Sequence, residues 1–146
     1  MLPRWHIFYG ALFTGVVWFV AQQTAWYNLL LIFLASVFID LDHYVNAVRY
    51  TKTLSFRNAL RYYDKVGSQL EIKHKKGMRD KEHEFQFFHT IEFIFLVAIL
   101  GIFWAPLFYV FIGLVFHLLL DVYYLISKDY IYVREWFFFN WMRKQF

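Results

Sequence analysis

Apolar positions gather into four blocks along this chain, covering 6–22, 25–45, 86–104 and 106–126. Each is near the roughly 20 residues with which a helix crosses about 30 Å of hydrocarbon. Only "QQTA" separates the first two blocks and "WAP" the last two. Such short connections make each pair an antiparallel hairpin, and Pro106 suits the first turn of a helix. The expected fold is therefore all-α: a single membrane domain over 1–146, with four transmembrane helices as two antiparallel hairpins forming a bundle.

Two polar stretches stand outside the blocks. Residues 46–85 are too long for a simple connector. Within them "SFRNALRYYDKVG" predicts a helix that Ser55 caps and Gly67 stops. Phe56, Leu60 and Tyr63 fall on one face and Arg57, Arg61 and Lys65 on another, a pattern that suits a helix lying on a membrane surface or a solvated loop helix. Residues 127–146 end in "EWFFFNWMRKQF", whose aromatics on every face fit insertion at the membrane interface.

Composition sharpens the picture. Of 146 residues 60% are hydrophobic and 25% aromatic, more apolar surface than a soluble domain of this length needs. There is no cysteine, which excludes a disulfide framework and thiolate metal ligands. All 15 Lys and Arg lie at Arg4, in the loop from Arg49 to Lys81, or beyond the fourth block, and neither hairpin turn holds one. By the positive-inside rule both termini and the loop face the cytoplasm of a cell (inner) membrane. Phe19 stands where a signal-peptidase site after Ala21 would want a small residue, so the first block is read as a retained helix.

Against this apolar background the ionisable residues inside the blocks, or within a turn of them, stand out. They are His6; Asp40, Asp42 and His43; His89 and Glu92, with Glu82, His83 and Glu84 just before; and His117 and Asp121. In the hairpin topology all of them fall at the cytoplasmic level, whereas 7–39 and 93–116 contain no Asp, Glu, Lys, Arg or His. His117 and Asp121 are spaced i, i+4, while Asp40–His43 and His89–Glu92 are spaced i, i+3, so each pair shares a helix face. Asp42 points elsewhere if its helix continues, and inward if the helix ends at the aspartates.

Taken singly, several of these have plain readings. His6 alone suits an interfacial histidine, Asp40 or Asp42 a helix cap, and His89–Glu92 a hydrogen-bonded pair. His74, among "KHKK", reads as a solvated loop residue, and His83 and Glu84 lie in a charge-rich approach to the third block. Together, however, buried carboxylates without cations cost several kcal/mol each or are forced to protonate. Bound divalent metal removes that cost, and bundles build metal sites from side chains on facing helices. The candidate ligands are His6, Asp40, Asp42, His43, His89, Glu92, His117 and Asp121. Imidazole with carboxylate and no thiolate suits Zn or Mn, and this many ligands suits two ions.

The order of these groups resembles a known family. His6-x-x-x-Gly10, "DLDH" at 40–43, "FHTIE" at 88–92 and "HLLLD" at 117–121 are similar to motifs of the prokaryotic inner-membrane metal-dependent hydrolases of the YdjM-like family. The resemblance covers the four membrane segments, and the loop and tail fall outside it. The family carries a His five residues before the His89 position, where this chain has Glu84 with His83 one earlier, and its H-R-G turn is absent. More distantly, the alternation of His and Asp resembles the all-helical zinc-dependent phospholipase C group. What the resemblance implies is a membrane-embedded hydrolase with a dinuclear site at the cytoplasmic interface, cleaving a phosphoester or lipid-type substrate by metal-activated water. His83, Glu84 and Glu92 are then candidate catalytic groups, the first two as acids for the leaving group.

Membrane lipids are the expected partners, with Arg57, Arg61 and Lys65 drawing in an anionic headgroup or phosphorylated substrate. No nucleic acid is expected. Two other classes share the same residues: a divalent metal or proton transporter, which lacks a polar route through the other half of the bundle, and a structural membrane protein stapled by metal. The topology is directly testable. Reporter fusions after Phe146 and within 66–70 should both be active with a cytoplasmic reporter and silent with a periplasmic one, and a fusion at Gln22 should show the reverse.

Overall fold

The structure is a computed structural model that describes residues 3–79, 85–144 and 146. Its elements are α1 (Pro3–Val20), α2 (Trp26–Phe38), α3 (Leu41–Thr51), α4 (Phe56–Lys75), α5 (Ile91–Phe103), α6 (Ala105–Ser127) and α7 (Phe138–Arg143). Single 3₁₀ turns lie at Phe87–His89 and Ile131–Val133. The described residues are all-helical, with no strand. Helix α6 is central: α2 and α5 pack along it, α1 packs on α2 and touches α6, and α3 pairs with α4. The connections through 21–25 and Trp104 are the expected tight hairpins, and proline occupies the first turn of α6.

Four spans were expected. By length and composition, two stretches among the described residues are apolar enough to cross a membrane, Trp26–Thr51 and Ala105–Ser127. Helix α5 has only 13 residues, which at 1.5 Å per residue reach about 20 Å. Its start is late because the Thr90 hydroxyl accepts the Phe93 N–H at 3.3 Å and caps the helix there. Helix α1 has 18 residues but spends its first turn on Arg4 and His6.

Helix contacts rest on small residues. A Cβ on Gly113 would fall on the Ile32 carbonyl oxygen and within 2.8 Å of Ala35 Cβ, and one on Gly101 would lie 2.8 Å from the Phe108 backbone nitrogen. These glycines let α2 and α5 approach α6 at backbone distance, as in membrane helix pairs. The resulting interior is polar for its size. The largest fully buried side chains are Ile32, His6, His89, His117, Thr90, Asp121 and Ser36, while Trp18, Phe19, Phe95, Ile102, Phe103, Leu119 and Tyr123 point outward.

Helix α4 starts where expected, with Ser55 Oγ accepting the Asn58 N–H at 3.4 Å. It does not stop at Gly67. A helical glycine costs about 1 kcal/mol, which the good helix formers after it outweigh, and the stop comes at Gly77 with φ +73°. His74 is not simply solvated: its Nδ1 lies 3.1 Å from the Tyr132 hydroxyl. The C-terminal segment packs on the start of α5, where the Ile91 N–H donates to the Trp136 carbonyl at 3.0 Å and Phe85 stacks on Trp141 at 4.2 Å.

The glycine contacts predict unequal costs. Gly113→Ala should lower the thermal midpoint of the detergent-purified protein, by an overpacking cost of about 1–3 kcal/mol. Gly15→Ala, whose Cβ would meet nothing within 4 Å, should leave the midpoint unchanged or raise it.

Candidate metal centre

Four separate elements bring the site together at one end of the helices. The first turn of α1 supplies His6. Helix α2 ends at Phe38 and α3 begins at Leu41, and the turn between them frees Asp40 from helical register. That break settles the direction of Asp42, which now reaches His89 rather than pointing away. The 3₁₀ turn supplies His89, and the second half of α6 supplies His117 and Asp121, one turn apart.

Two hydrogen bonds orient the central histidines. His117 Nδ1 lies 2.8 Å from the Ser36 carbonyl oxygen, which can only accept, so this nitrogen carries the proton. His89 Nδ1 lies 3.0 Å from Asp42 Oδ2, and the same carboxylate accepts the Phe88 N–H at 3.3 Å and the His43 N–H at 2.7 Å. In its neutral form each imidazole so held aims an Nε2 lone pair inward. This arrangement, with the outer nitrogen held by a carbonyl or carboxylate, is the usual setting of a metal-binding histidine.

The inward atoms form a compact figure. His89 Nε2 and His117 Nε2 are 3.3 Å apart, and Asp40 Oδ1 is 3.4 Å from each. Asp121 Oδ2 closes the fourth corner at 3.5 Å from His117 Nε2 and 3.8 Å from His89 Nε2. A tetrahedral ion with bonds of about 2.0–2.1 Å requires ligand atoms roughly 3.3–3.4 Å apart. Lone pairs and carboxylate oxygens at these separations repel unless a shared proton or a metal cation lies between them. This buried group of Asp40, His89, His117 and Asp121 could hold a metal ion. A second grouping of Asp42, His43 and His89 shares one histidine with it.

His6 stands beside this figure. Its ring stacks on His117 with centroids 4.0 Å apart, and Nε2 lies 3.3 Å from Asp121 Oδ1 and 3.9 Å from Asp40 Oδ2. Although the residue is 1% exposed, neither ring nitrogen makes a well-formed hydrogen bond. His43, half-buried, points Nε2 at Asp40 Oδ1 from 3.6 Å, and its Nδ1 lies 3.4 Å from the Gln86 amide nitrogen. Tyr63 of α4 packs edge-on to the His43 ring and donates to its carbonyl at 2.9 Å.

Not every expected residue arrives. Glu92 does not share a face with His89, because the extended backbone at Thr90 sends the two apart. Its carboxylate instead accepts the Phe138 and Phe139 N–H groups at 3.0 and 3.4 Å, at the start of α7, where a negative charge suits the helix dipole. His83 and Glu84 lie outside the described residues, as does Glu82.

One participant was missed. Arg134, buried just after the second 3₁₀ turn, donates from Nη1 to Asp121 Oδ2 at 2.8 Å. In the sequence it is one of many cations. Only its isolation within "YIYVREWFF" distinguishes it. No known protein family, curated protein or solved structure matches this chain.

The placement of Glu92 yields a prediction. Glu92→Gln should leave the metal content of the purified protein unchanged, while the Phe138 and Phe139 amides exchange faster with solvent. The lost cap is worth about 1 kcal/mol.

Proposed function

We propose that this chain is a membrane-embedded, metal-dependent hydrolase with its site at the cytoplasmic interface. The observation that carries the reading is the near-equilateral triangle of His89 Nε2, His117 Nε2 and Asp40 Oδ1, with sides of 3.3–3.4 Å. Three firm ligands with a fourth position contested are characteristic of catalytic sites, whereas structural sites are closed. Here Asp121 Oδ2 is farther off and is already engaged by Arg134. A divalent ion, Zn or Mn by this donor set, would supply an activated water and polarise the scissile bond when bound.

The chain's own groups have definite roles in this reading. Asp42 and the Ser36 carbonyl hold the two imidazoles in the metal-binding tautomer. His6, without a hydrogen bond and next to Asp121, is placed to take up the proton that the water gives away or to act as a further ligand. Asp40 and His43, with side chains 18% and 22% exposed, are the least buried members and mark the way in. Because His89 belongs to both groupings and its Nδ1 is held by Asp42, the Asp40–His89–His117–Asp121 group is the better placed of the two to hold an ion. Membrane insertion is supported by the outward apolar side chains around a polar interior, the reverse of a soluble domain. The order of the His and Asp motifs, similar to the YdjM-like hydrolases, favours hydrolysis, and a phosphoester or lipid-type substrate suits a site at this depth.

A second reading has one observation in its favour. If Asp121 closes the tetrahedron, the same four groups make a saturated structural site, and the ion staples the α2–α3 turn, the 3₁₀ turn before α5 and α6 to one another without chemistry. A transporter is less well supported, since the groups are confined to one end and the polar side chains do not continue through α2 or α5.

Metal content by mass spectrometry on detergent-purified protein tests the proposal. The wild type should carry one to two equivalents of a transition metal, and Asp40→Ala and His117→Ala should each lose it. The loaded wild type should release product from phosphoester substrates, with Asp40→Ala inactive. Absence of metal after reloading would overturn the reading. Metal retained by the wild type without activity on any ester or amide would favour the structural site.

A further inference from the structure

Outside the metal centre, α3 and α4 are held together as one unit. Ala47 and Ala59 are buried, and Tyr62 of α4 stacks on Tyr50 of α3 with centroids 5.6 Å apart. The Tyr44 hydroxyl donates to the Leu54 carbonyl at 2.5 Å, which fixes the turn between the helices. What this unit presents outward is a choice between the two settings open to α4, a membrane surface or free solution.

Its outer surface continues the apolar coat of the bundle. Phe38 at the end of α2, then Leu41 and Val45 of α3, are exposed in turn. The surface passes from there to α4, because Tyr44 lies against Phe56 with ring centroids 6.3 Å apart. Leu54 and Phe56 are 78% and 62% exposed, and Leu60 follows Phe56 one turn on. In water these side chains form a contiguous apolar edge with nothing to cover it.

Cations border the same edge. Arg49 follows Val45 by one turn, and Lys52 ends α3. Arg57 and Arg61 each stand one residue along from Phe56 and Leu60, with Lys65 a turn further. All five are exposed, and among the described residues none makes an ion pair, whereas Lys75 holds Glu71 and Arg79 holds Asp129. Between Leu41 and Leu70 only one exposed carboxylate, Asp64, stands against them.

An apolar edge lined by unpaired, long-stemmed cations matches a bilayer surface. The rings and leucines enter the acyl boundary, while arginine and lysine reach back to the phosphates. Free solution would leave Leu54 and Phe56 bare, and a nucleic acid would meet the cations but not that edge. Since α2 runs directly into this unit, the membrane surface is also the partner already at hand.

We propose that the α3–α4 unit lies on the membrane surface and binds anionic phospholipid headgroups through Arg49, Lys52, Arg57, Arg61 and Lys65, with Leu54, Phe56 and Leu60 set into the lipid. This rests on the membrane insertion in the proposed function and not on its metal or its chemistry.

The test uses the full chain in nanodiscs of phosphatidylcholine with a minor share of phosphatidylglycerol. Lipids kept by the protein after mild detergent extraction are counted by mass spectrometry. The wild type should retain phosphatidylglycerol at roughly five times its bulk ratio. The triple variant Arg57→Gln/Arg61→Gln/Lys65→Gln should fall toward the bulk ratio, and so should the wild type in high salt. Lys75→Gln/Arg79→Gln, whose cations are already paired, should keep the wild-type ratio. Because the chain has no cysteine, fluorophores on Leu60→Cys and on Gln69→Cys, exposed on the opposite face of α4, report depth separately. The first should be quenched by nitroxide lipid and the second by iodide in the water.

Equal retention by the wild type and the triple variant would overturn the inference, as would a wild type at the bulk ratio or a Leu60 label that lipid does not quench. A label shielded from both quenchers would overturn it in favour of a protein covering this edge. Should the triple variant fail to fold, Arg61→Gln decides, with reduced retention supporting the inference and wild-type retention overturning it. A wild type that does not insert into nanodiscs would overturn the membrane reading together with it, whereas any of the other failures leaves insertion standing.

Discussion

Three carboxylates, Asp40, Asp42 and Asp121, and four imidazoles, His6, His43, His89 and His117, meet at one end of this molecule beside the buried Arg134, and the interaction between them governs the rest. Asp40, Asp121 and the two inward nitrogens of His89 and His117 sit within 4.8 Å of one another. Acceptors packed this closely away from water must share protons or a metal ion. Every helix of the bundle contributes to meeting that demand. The α2–α3 break, the 3₁₀ turn before α5 and the tail after α6 are each departures from regular helix at the same level. Each brings one more polar group to the cluster or holds one already there.

The opposite end shows what helices do without this constraint. Between Ile7 and Ile39, and again between Phe93 and Phe116, there is no charged residue or histidine, and the connections shrink to a few residues. Packing there rests on glycine against backbone, as at Gly113 on Ile32 and Gly101 on Phe108. This close approach fixes the separation of α2, α5 and α6, and so the separation of the groups they carry. Because His117 hangs from the Ser36 carbonyl only one turn from Gly113, the small residue and the oriented imidazole belong to one contact.

The tail has a role that its aromatic composition conceals. Trp136, Phe138 and Trp141 fit an interfacial segment, yet the backbone between them is bound to the start of α5. Glu92 caps α7 and Arg134 inserts beside Asp121. The Glu135 carboxylate pairs with Lys144 and Asn140 further along. The segment is therefore part of the site's wall. Together with α4, which crosses from Tyr63 on His43 to His74 on Tyr132, it surrounds the polar end on the side away from the hairpin turns.

Much of this was legible along the chain. Hydropathy marked the apolar helices and their hairpin pairing, because both depend on residues close in sequence. Spacing singled out His117 with Asp121, and Asp40 with His43, because one turn of helix is a local ruler. The same ruler failed at His89 and Glu92, where the Thr90 cap starts the helix two residues past His89 and the pair does not share a face. Block length overran at the third apolar block, where the Thr90 cap leaves α5 only 13 residues. Whether Asp42 turned inward depended on where α2 broke, and that depended on His89, 47 residues away. Arg134 and the capping role of Glu92 were beyond the sequence for the same reason. Each is defined by a partner from a distant segment, and only the packed structure decides which of many cations meets Asp121 and which carboxylate meets a helix end.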